Sequence, residues 1–504
     1  MAFYKHTRHL IKIGYSLARH DALFLAEDAR IAPLFIRFCK IFRRKNTEGL
    51  RNGQRLAAAL QDMGPTFIKL GQVLATRSDL VGEEVAADMA SLQDRLPPFP
   101  FSDAKAIIEA ELERPLDQLF TDFNETPVAA ASVAQVHQAT TPDGRTVAVK
   151  VIRPTVKRAF ANDLELFRWL AAMLHRRYPQ THRLKLPQVV EMLAQTIALE
   201  MDLRMEAAAA DEMAAHFVND ADCYIPKIDW QRTAEKVLTL EWVSGIRIDN
   251  VTALRMAGHN PDAVLAKSAR ALFRQVFQQG FFHADLHPGN MMVLEDGRVA
   301  VIDFGITGRL DKKTRLYLAE MLQGFLTGDY RKVAEIHIAA GLVPATESVD
   351  VFALACRSIG QPILNLPWHE MSVGRLLGQL FGIAEQFKMT VQPQLLLLQK
   401  TIVTAEGVGR SLNPTVNMWD LTRPLITDWA KEHYGVRARA RETRELLSDT
   451  LHKIPPLLNA LEHLATPKDT PVAAVSVKGF GYKTAVLMAV VGGAVGWLVR
   501  GLGF

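Results

Sequence analysis

Three side chains that suit phosphoryl transfer lie close together in residues 283–305. Asp285 and Asn290 have the spacing HxDxxxxN, and Asp303 opens the tripeptide Asp-Phe-Gly. Transfer of a phosphoryl group requires a carboxylate beside the attacking hydroxyl, together with oxygen ligands that hold Mg²⁺ on the phosphates. The pattern predicts Asp285 as the catalytic carboxylate and Asn290 and Asp303 as metal ligands.

Two short apolar runs predict a β-hairpin that positions these residues. Residues 291–294 and 299–302 are the two runs, and Glu295-Asp296-Gly297 between them is typical of a turn. Such a hairpin places Asn290 before its first strand and Asp303 after its second. The two oxygen ligands are therefore expected to lie around one metal ion, and Mg²⁺ prefers octahedral oxygen coordination.

A second β-hairpin is predicted upstream, and its second strand ends near a lysine. The runs 133–140 and 146–151 flank a turn that contains Asp143-Gly144. Lys150 occupies the position at which a kinase-type fold places its phosphate-binding ammonium. The sequence therefore predicts that Lys150 binds the phosphates of a nucleotide.

This lysine needs a carboxylate from a nearby helix to orient it. Asp202 and Glu206 are four residues apart in a helical pattern over 155–220 and are expected to share a helix face, which Glu200 does not share with Glu206. We favour Glu206 as the partner of Lys150. A solvated helix face is the competing interpretation.

The segment before this hairpin is rich in alanine where an ordinary kinase has a glycine-rich loop over the phosphates. Alanine lacks the conformational freedom of glycine at positive φ, so we expect this loop to approach the phosphates less closely and to flex less. The residues predicted to contact the nucleotide here are Ala129, Ala130, Ala131, Ser132, Val133, Ala134, Gln135 and Val136.

The chain after Asp303-Phe-Gly is too short for a peptide-binding segment. Residues 306–311 lead almost at once into a predicted helix, and no Ala-Pro-Glu follows. Protein kinases have their activation segment between these two motifs. A small-molecule or lipid acceptor, or hydrolysis of the nucleotide, is therefore favoured over an ordinary protein substrate.

The composition fits a folded protein of two or three domains. The 504 residues are 49% hydrophobic and 22% charged, with a net charge of +5 and three separated cysteines, Cys39, Cys223 and Cys356. The basic balance suits nucleic acid or an anionic membrane and alone decides neither. The cysteine spacing supports neither a disulfide framework nor a zinc site, and the first residues do not resemble a secretory signal.

One uncharged segment near the C-terminus favours membrane association. Residues 484–499 carry no charge, and as a helix they would rise about 24 Å at about 1.5 Å per residue. The apolar residues after Arg500 could extend the span to about 20 residues, enough for the hydrocarbon core. Gly492 and Gly496 form a GxxxG pattern that permits close helix packing in lipid. A buried terminal helix is the alternative.

With these residues in place, the chain resembles the UbiB/ADCK family of atypical kinase-like ATPases over about residues 50–440. Lys69 and Gln72 match the family's KxGQ signature, and Glu200 and Asp202 match its ExD motif. The alanine-rich loop also matches. The catalytic loop HADLHPGN, however, also resembles that of aminoglycoside and choline phosphotransferases.

The resemblance implies a site, a fold and a biological role. The KxGQ helices would fold over the active site, with Lys69 and Gln72 reaching toward the catalytic groups. ATP and Mg²⁺ would be the cofactors, and the role would lie in ubiquinone (coenzyme Q) biosynthesis at a membrane. Bacterial relatives often carry two C-terminal hydrophobic helices, whereas only 484–499 is convincing here, because 472–477 is too short to span.

We therefore predict an α+β fold of the two-lobed, atypical protein-kinase type, with a small β-containing N-lobe and a helical C-lobe. The expected partners are ATP, membrane lipid or a polyprenyl-quinone precursor, ubiquinone-biosynthesis proteins, and a second copy through the GxxxG helix, but not nucleic acid. The kinase-like domain is expected on the cytoplasmic side of the membrane. The predicted segments are a helical KxGQ extension (1–100), an N-lobe with a helical insertion (101–245), a C-lobe (246–440) and a helical tail (441–504).

Two other functions remain open. One is a small-molecule phosphotransferase of the aminoglycoside or choline kinase type, against which the KxGQ and alanine-rich motifs argue. The other is a lipid-binding regulatory protein that uses a nucleotide as a switch. An oxidase acting on the quinone is disfavoured, because no GxGxxG lies between a strand and a helix.

Overall fold

The structure is a computed structural model that describes residues 2–24, 49–75, 81–89, 92, 97–178, 185–364, 373–383, 386–389, 392–414 and 425. Helices and small, mainly antiparallel sheets alternate along these residues. The predicted α+β class is confirmed. The predicted division into four segments stays a prediction.

Within the described N-terminal residues there are four helices, and the third of them carries the KxGQ motif. Gly71 of that motif lies so close to its neighbours that a Cβ atom would overlap the side chains of Leu92 and Leu60. Glycine therefore lets the third helix pack tightly against the rest of this group. The helices are α1 (Ala2–Arg19), α2 (Asn52–Met63), α3 (Pro65–Ala75) and α4 (Glu83–Met89).

The first sheet contains the predicted upstream hairpin, which is confirmed. Thr140 pairs with Thr146 across the turn, and Gly144 adopts a φ of 81° there. In the described chain the sheet has the order β1-β3-β4-β6, with β2 paired to β3. Its elements are α5 (Phe101–Leu112), α6 (Leu116–Leu119), β1 (Asp122–Phe123), β2 (Ala129–Ala130), β3 (Ala134–Thr140), β4 (Thr146–Ile152) and, later in the chain, β6 (Val237–Glu241).

The helical region that follows the hairpin has a break at the ExD motif. Glu200 ends one helix and Asp202 is the N-cap of the next, with its carboxylate accepting a hydrogen bond from the backbone N–H of Arg204. The predicted helix face shared by Asp202 and Glu206 was therefore wrong, because a capping aspartate lies outside the helix. The helices are α7 (Val156–Arg177), α8 (Leu186–Glu200) and α9 (Leu203–His216), and α3 packs against α7 and α8.

The catalytic segment lies between two small sheets. The predicted hairpin is confirmed, since Val299 pairs with Val293 and Val301 with Met291. Gly297 in its turn has a φ of 77°. The elements are β5 (Cys223–Tyr224), β7 (Ile246–Arg247), α10 (Val251–Met256), α11 (Pro261–Phe273), β8 (Phe281–His283), β9 (Met291–Val293), β10 (Val299–Val301) and β11 (Thr307–Arg309).

The strand β11 was not predicted, because the chain after Asp303-Phe-Gly was expected to enter a helix almost directly. Instead Thr307 pairs with His283 and Gly308 with Phe282. A Cβ atom on Gly308 would overlap the ring of Phe282, which is fully buried. Glycine therefore allows β11 to lie against β8.

Substitution of Gly308 by alanine is expected to lower the free energy of unfolding by about 1–3 kcal/mol, because the added methyl group overpacks the ring of Phe282. Thermal unfolding of the purified protein measures this loss. The matched control is Gly407→Ala, where a Cβ atom has no neighbour within 4 Å. That helical substitution is expected to be neutral or to stabilise by about 0.5–1 kcal/mol. Equal melting temperatures for the two variants would contradict the packing argument.

The remaining described helices form the C-terminal part, and the last of them packs against α11 and β11. The other four surround an apolar core that includes Phe325, Val333 and Phe352. The helices are α12 (Lys312–Thr327), α13 (Tyr330–Ala339), α14 (Val349–Leu364), α15 (Val373–Gly382) and α16 (Pro393–Leu412).

The predicted membrane segment 484–499, with Gly492 and Gly496, lies outside the described residues, as does Cys39. Among the helices that the structure does describe, none has the length and apolar character needed to span a membrane.

Candidate phosphotransfer site

Two carboxylates from separate parts of the chain meet the ammonium of Lys150 on β4. Its Nζ atom lies 2.8 and 3.0 Å from the two carboxylate oxygens of Glu206 on α9. The same nitrogen lies 3.3 Å from Oδ2 of Asp303, just after β10. The Lys150 and Glu206 side chains are only 16% and 10% exposed. Glu206, which the sequence favoured as the partner of Lys150, is therefore in contact with this lysine.

Lys150 and Asp303 each stabilise the charged form of the other, whereas burial and Asp303 disfavour the charge on Glu206. Burial lowers the pKa of Lys150, but the neighbouring carboxylates of Asp303 and Glu206 outweigh burial and raise it above its usual range. Burial raises the pKa of Glu206 to about 7, with Asp303 adding to the rise and Lys150 opposing it. Burial acts to raise the pKa of Asp303, but the Lys150 ammonium outweighs burial and holds this pKa well below its usual range. Lys150 and Asp303 are therefore both charged at neutral pH.

The backbone of Asp303 is in the left-handed region, with a φ of 66°. Aspartate tolerates this conformation better than most residues because its short side chain can hydrogen-bond locally. Here Oδ1 accepts a hydrogen bond from the Gly305 N–H at 3.3 Å. The turn leaves Oδ2 facing Lys150.

A buried histidine links the two halves of the site. His283 Nδ1 accepts a hydrogen bond from the Asp285 N–H at 3.0 Å, so the ring proton lies on Nε2, which is 2.5 Å from the Asp303 carbonyl oxygen. Burial lowers the pKa of His283, and the ring stays neutral. The sequence motif contained His283, but the spacing alone did not reveal this bridging role.

The catalytic loop presents Asp285 and Asn290 side by side. The amide nitrogen of Asn290 donates to the Asp285 carbonyl oxygen at 3.1 Å. The carboxylate of Asp285 receives a hydrogen bond at 2.9 Å from Lys400 on α16, which is 115 residues away in the sequence. Sequence reasoning missed Lys400, because a lysine within an amphipathic helix carries no local signal.

The oxygen atoms of Asn290 and Asp303 suit Mg²⁺. The amide nitrogen of Asn290 is already engaged, which leaves its amide oxygen to bind a cation. Asp303 adds an ionised carboxylate. Because Mg²⁺ is usually held by one or two protein oxygen ligands together with phosphates and water, this pair fits the ion.

The alanine-rich segment consists of β2, the turn at residues 131–133 and the start of β3. The Ala131 N–H donates to the Ala134 carbonyl oxygen at 2.8 Å, and the Arg153 guanidinium donates to the Ala131 carbonyl oxygen at 2.8 and 3.0 Å. Ser132 is fully buried, and its hydroxyl has no hydrogen-bond partner within the described residues. The guanidinium therefore holds this turn against the end of β4, and the expected stiffness of the turn stays a prediction.

Gln135 of this segment is also buried and holds the chain that precedes α5. Its side chain accepts a hydrogen bond from the Phe99 N–H at 2.9 Å and donates to the Phe99 carbonyl oxygen at 3.3 Å. The side chains of Ala134 and Val136 lie in the same strand. Gln135 therefore stabilises the sheet in addition to any contact with a nucleotide.

The KxGQ and ExD motifs meet in a second ion pair. Lys69 Nζ lies 2.9 Å from Glu200 Oε2, and the two side chains are 8% and 10% exposed. Gln72 lies one turn further along α3 and is partly buried. Asp202, the other acidic residue of the ExD motif, pairs instead with Arg204, whose guanidinium lies 2.7–2.8 Å from its carboxylate oxygens.

Comparison with known families identifies two matching domains. The ABC1 atypical kinase-like domain matches residues 91–337, and the UbiB helical domain matches residues 356–417.

Individual relatives match over most of the chain. A sequence named "Probable protein kinase UbiB" from Marinobacter nauticus is 42% identical over 410 residues, covering 81% of this chain and 75% of that one. A sequence of the same name from Xanthomonas axonopodis pv. citri is 39% identical over 460 residues, with coverages of 88% and 82%. Among solved structures, the Rv3197–erythromycin complex from Mycobacterium tuberculosis gives a TM-score of 0.48 at 24% identity, over 73% of this chain and 93% of that one.

Proposed function

Because the chain belongs to the UbiB family of ABC1 atypical kinase-like proteins, we propose that it is a membrane-associated, ATP- and Mg²⁺-dependent kinase-like ATPase that supports ubiquinone biosynthesis. The observation that carries the catalytic part is the contact of Lys150 with both Glu206 and Asp303. An oriented ammonium beside a metal-binding carboxylate is what binding of ATP phosphates requires. The role in ubiquinone biosynthesis is supported by the names of the bacterial relatives.

The proposed reaction is the transfer of the γ-phosphoryl group of ATP to an oxygen nucleophile. The nucleophile's oxygen bonds to the γ-phosphorus, the bond to the β–γ bridging oxygen breaks, and ADP leaves with that oxygen. Asp285 accepts the proton of the nucleophile and then returns it to solvent. When water is the nucleophile, the products are ADP and phosphate. Bound Mg²⁺, held by Asn290 and Asp303, would neutralise charge on the phosphates.

The acceptor is proposed to be water, a small molecule or a lipid. The relatives are named protein kinases, but in this chain β11 pairs with β8 soon after Asp303, and α12 begins at Lys312. A peptide substrate normally rests on a longer segment between these points. The short connection therefore supports a non-peptide acceptor.

Membrane association is proposed from the basic balance of the chain and the uncharged segment 484–499. We place the kinase-like domain on the cytoplasmic side. A membrane lipid or a polyprenyl-quinone precursor is the proposed ligand, and other ubiquinone-biosynthesis proteins, together with a second copy through Gly492 and Gly496, are the proposed protein partners.

The test measures ATP hydrolysis by the purified chain with and without anionic liposomes and a phenolic quinone precursor. We expect Mg²⁺-dependent hydrolysis that rises several-fold when both are present, because the membrane concentrates a lipid-like effector at the site. The Asp303→Asn variant is the background control, since it loses a proposed metal ligand. Phosphate incorporated into a protein, without stimulation by liposomes, would overturn the proposal. Phosphate found on a small hydroxyl compound would favour the small-molecule phosphotransferase instead.

A further inference from the structure

One cation at the candidate site comes from outside the kinase-like domain. That domain matches residues 91–337, whereas Lys400 lies on α16 within the helical domain at residues 356–417. Its Nζ atom donates to Asp285 Oδ1 at 2.9 Å. The two side chains are 25% and 30% exposed. The pair thus lies at a partly covered site, open enough for a ligand to reach both groups.

The catalytic loop does not itself supply a fixed positive charge beside Asp285. The sequence from His283 to Asn290 contains neither lysine nor arginine. The nearest loop group is His287, whose Nε2 atom is 3.9 Å from Asp285 Oδ2, too long for a hydrogen bond. His287 Nδ1 accepts a hydrogen bond from the Gly289 N–H at 2.9 Å. Within the described residues, the cation in hydrogen-bond contact with Asp285 is Lys400.

The chemistry of an ammonium group allows Lys400 to serve a second partner. It has three N–H donors, and only one is needed for Asp285 Oδ1. A γ-phosphate beside the catalytic carboxylate would bring several negatively charged oxygen atoms to the same place. Transition states of phosphoryl transfer are stabilised by cations that contact these oxygens. An ammonium already held at Asp285 is therefore positioned to bind the group being transferred.

The helix that carries Lys400 is well placed to hold it. α16 packs against β11 and α11, and β11 pairs with β8, which ends at His283. The lysine is thus supported by elements that also position Asp285 and Asp303.

We infer that Lys400 is the cation that contacts the phosphoryl group during its transfer, so that helix α16 completes the phosphotransfer site. This inference rests on the proposed ATPase function and adds one residue to the same site. In the reaction, Lys400 stabilises the charge on the phosphoryl oxygens while Asp285 receives the proton of the nucleophile.

The test compares Lys400→Met with the wild-type chain for kcat, for KM of ATP, for ADP affinity and for thermal stability. We expect kcat to fall about 100-fold, the size found when one preorganised donor to a developing charge is removed. ADP affinity and melting temperature should stay as in the wild type, because ADP lacks the transferred group. Lys400→Arg keeps the charge and should retain part of the activity. The matched control is Arg410→Met, which removes an exposed cation from the same helix and should leave kcat unchanged.

Three results would overturn the inference. An unchanged or raised kcat in Lys400→Met would mean that the lysine does not assist transfer. Weaker binding of ADP together with a lower melting temperature would assign Lys400 a structural role. A wild-type chain that hydrolyses no ATP would remove the proposed function and this inference with it, whereas active wild type with equally active Lys400→Met removes the inference alone.

Discussion

Replacement of Lys150 by methionine is expected to lower kcat/KM for ATP hydrolysis about a thousandfold, the upper range for loss of one preorganised charged contact. The variant loses the ammonium that would bind the phosphates. It also leaves Glu206 and Asp303 near one another without the positive charge between them. Glu206, whose pKa Lys150 holds down, should then take up a proton, and Asp303 loses the ammonium that fixes its carboxylate. The measurement is steady-state ATP hydrolysis at saturating Mg²⁺.

The control for this variant is Lys157→Met. Lys157 pairs with Glu235 at 2.9 Å but is 69% exposed. It has the same charge and a similar partner distance, and it should lose almost no activity. Lys150→Arg should recover little, because a planar guanidinium does not fit a site built around a compact ammonium. ATP hydrolysis by Lys150→Met at the wild-type rate would show that the group around Lys150 is not the nucleotide site.

The largest stability effect is expected at the ion pair between the KxGQ and ExD motifs. Lys69→Met or Glu200→Gln should each lower the free energy of unfolding by about 3 kcal/mol, because each leaves a charge in a poorly hydrated place. The double variant should lose less than the sum of the two single losses, since it leaves neither charge behind. Denaturant unfolding of all four proteins gives the coupling energy.

Lys157→Met again provides the comparison, because its ion pair has the same 2.9 Å length but is exposed. An exposed pair contributes about 0–1 kcal/mol. Strictly additive losses for Lys69 and Glu200 would mean that their contact does not stabilise the fold, and that α3 is held against α8 by apolar packing alone.

The fold class and the family were predictable because their signals are local. Asp143-Gly144 and Asp296-Gly297 specify turns that only a few residue types permit, and both hairpins formed with the expected strands. The predicted two-lobed, kinase-like fold and the family resemblance are confirmed. The roles assigned to individual site residues stay predictions.

The break at the ExD motif could not be read from the sequence for a physical reason. Helical periodicity reports which face of a helix is apolar, but it does not show where the helix ends. Neither Met201 nor Asp202 is a glycine or proline, the residue types that commonly end a helix. The break appears only because the side chain of Asp202 caps α9 at Arg204. The sequence favoured Glu206 as the partner of Lys150 but placed Asp202 on the same helix face, and the fold separates the two residues.

The Lys400–Asp285 contact was beyond sequence reasoning for a different reason. It joins residues 115 positions apart, and the packing of α16 against β11 and α11 brings them together. Long-range contacts of this kind leave no periodic pattern in the sequence. Each of the two residues suits its own helix or loop whether or not the other residue is present.

The single imidazole ring of His283 contacts the main chain at both acidic positions, on one side through Nδ1 and on the other through Nε2. The loop that carries Asp285 therefore cannot shift without the segment that carries Asp303. Either both acidic positions are displaced in concert, or the ring gives up a hydrogen bond in surroundings without water to replace it, at a cost of about 1–3 kcal/mol. Conformations in which only one of the two acidic positions has moved should accordingly be scarce.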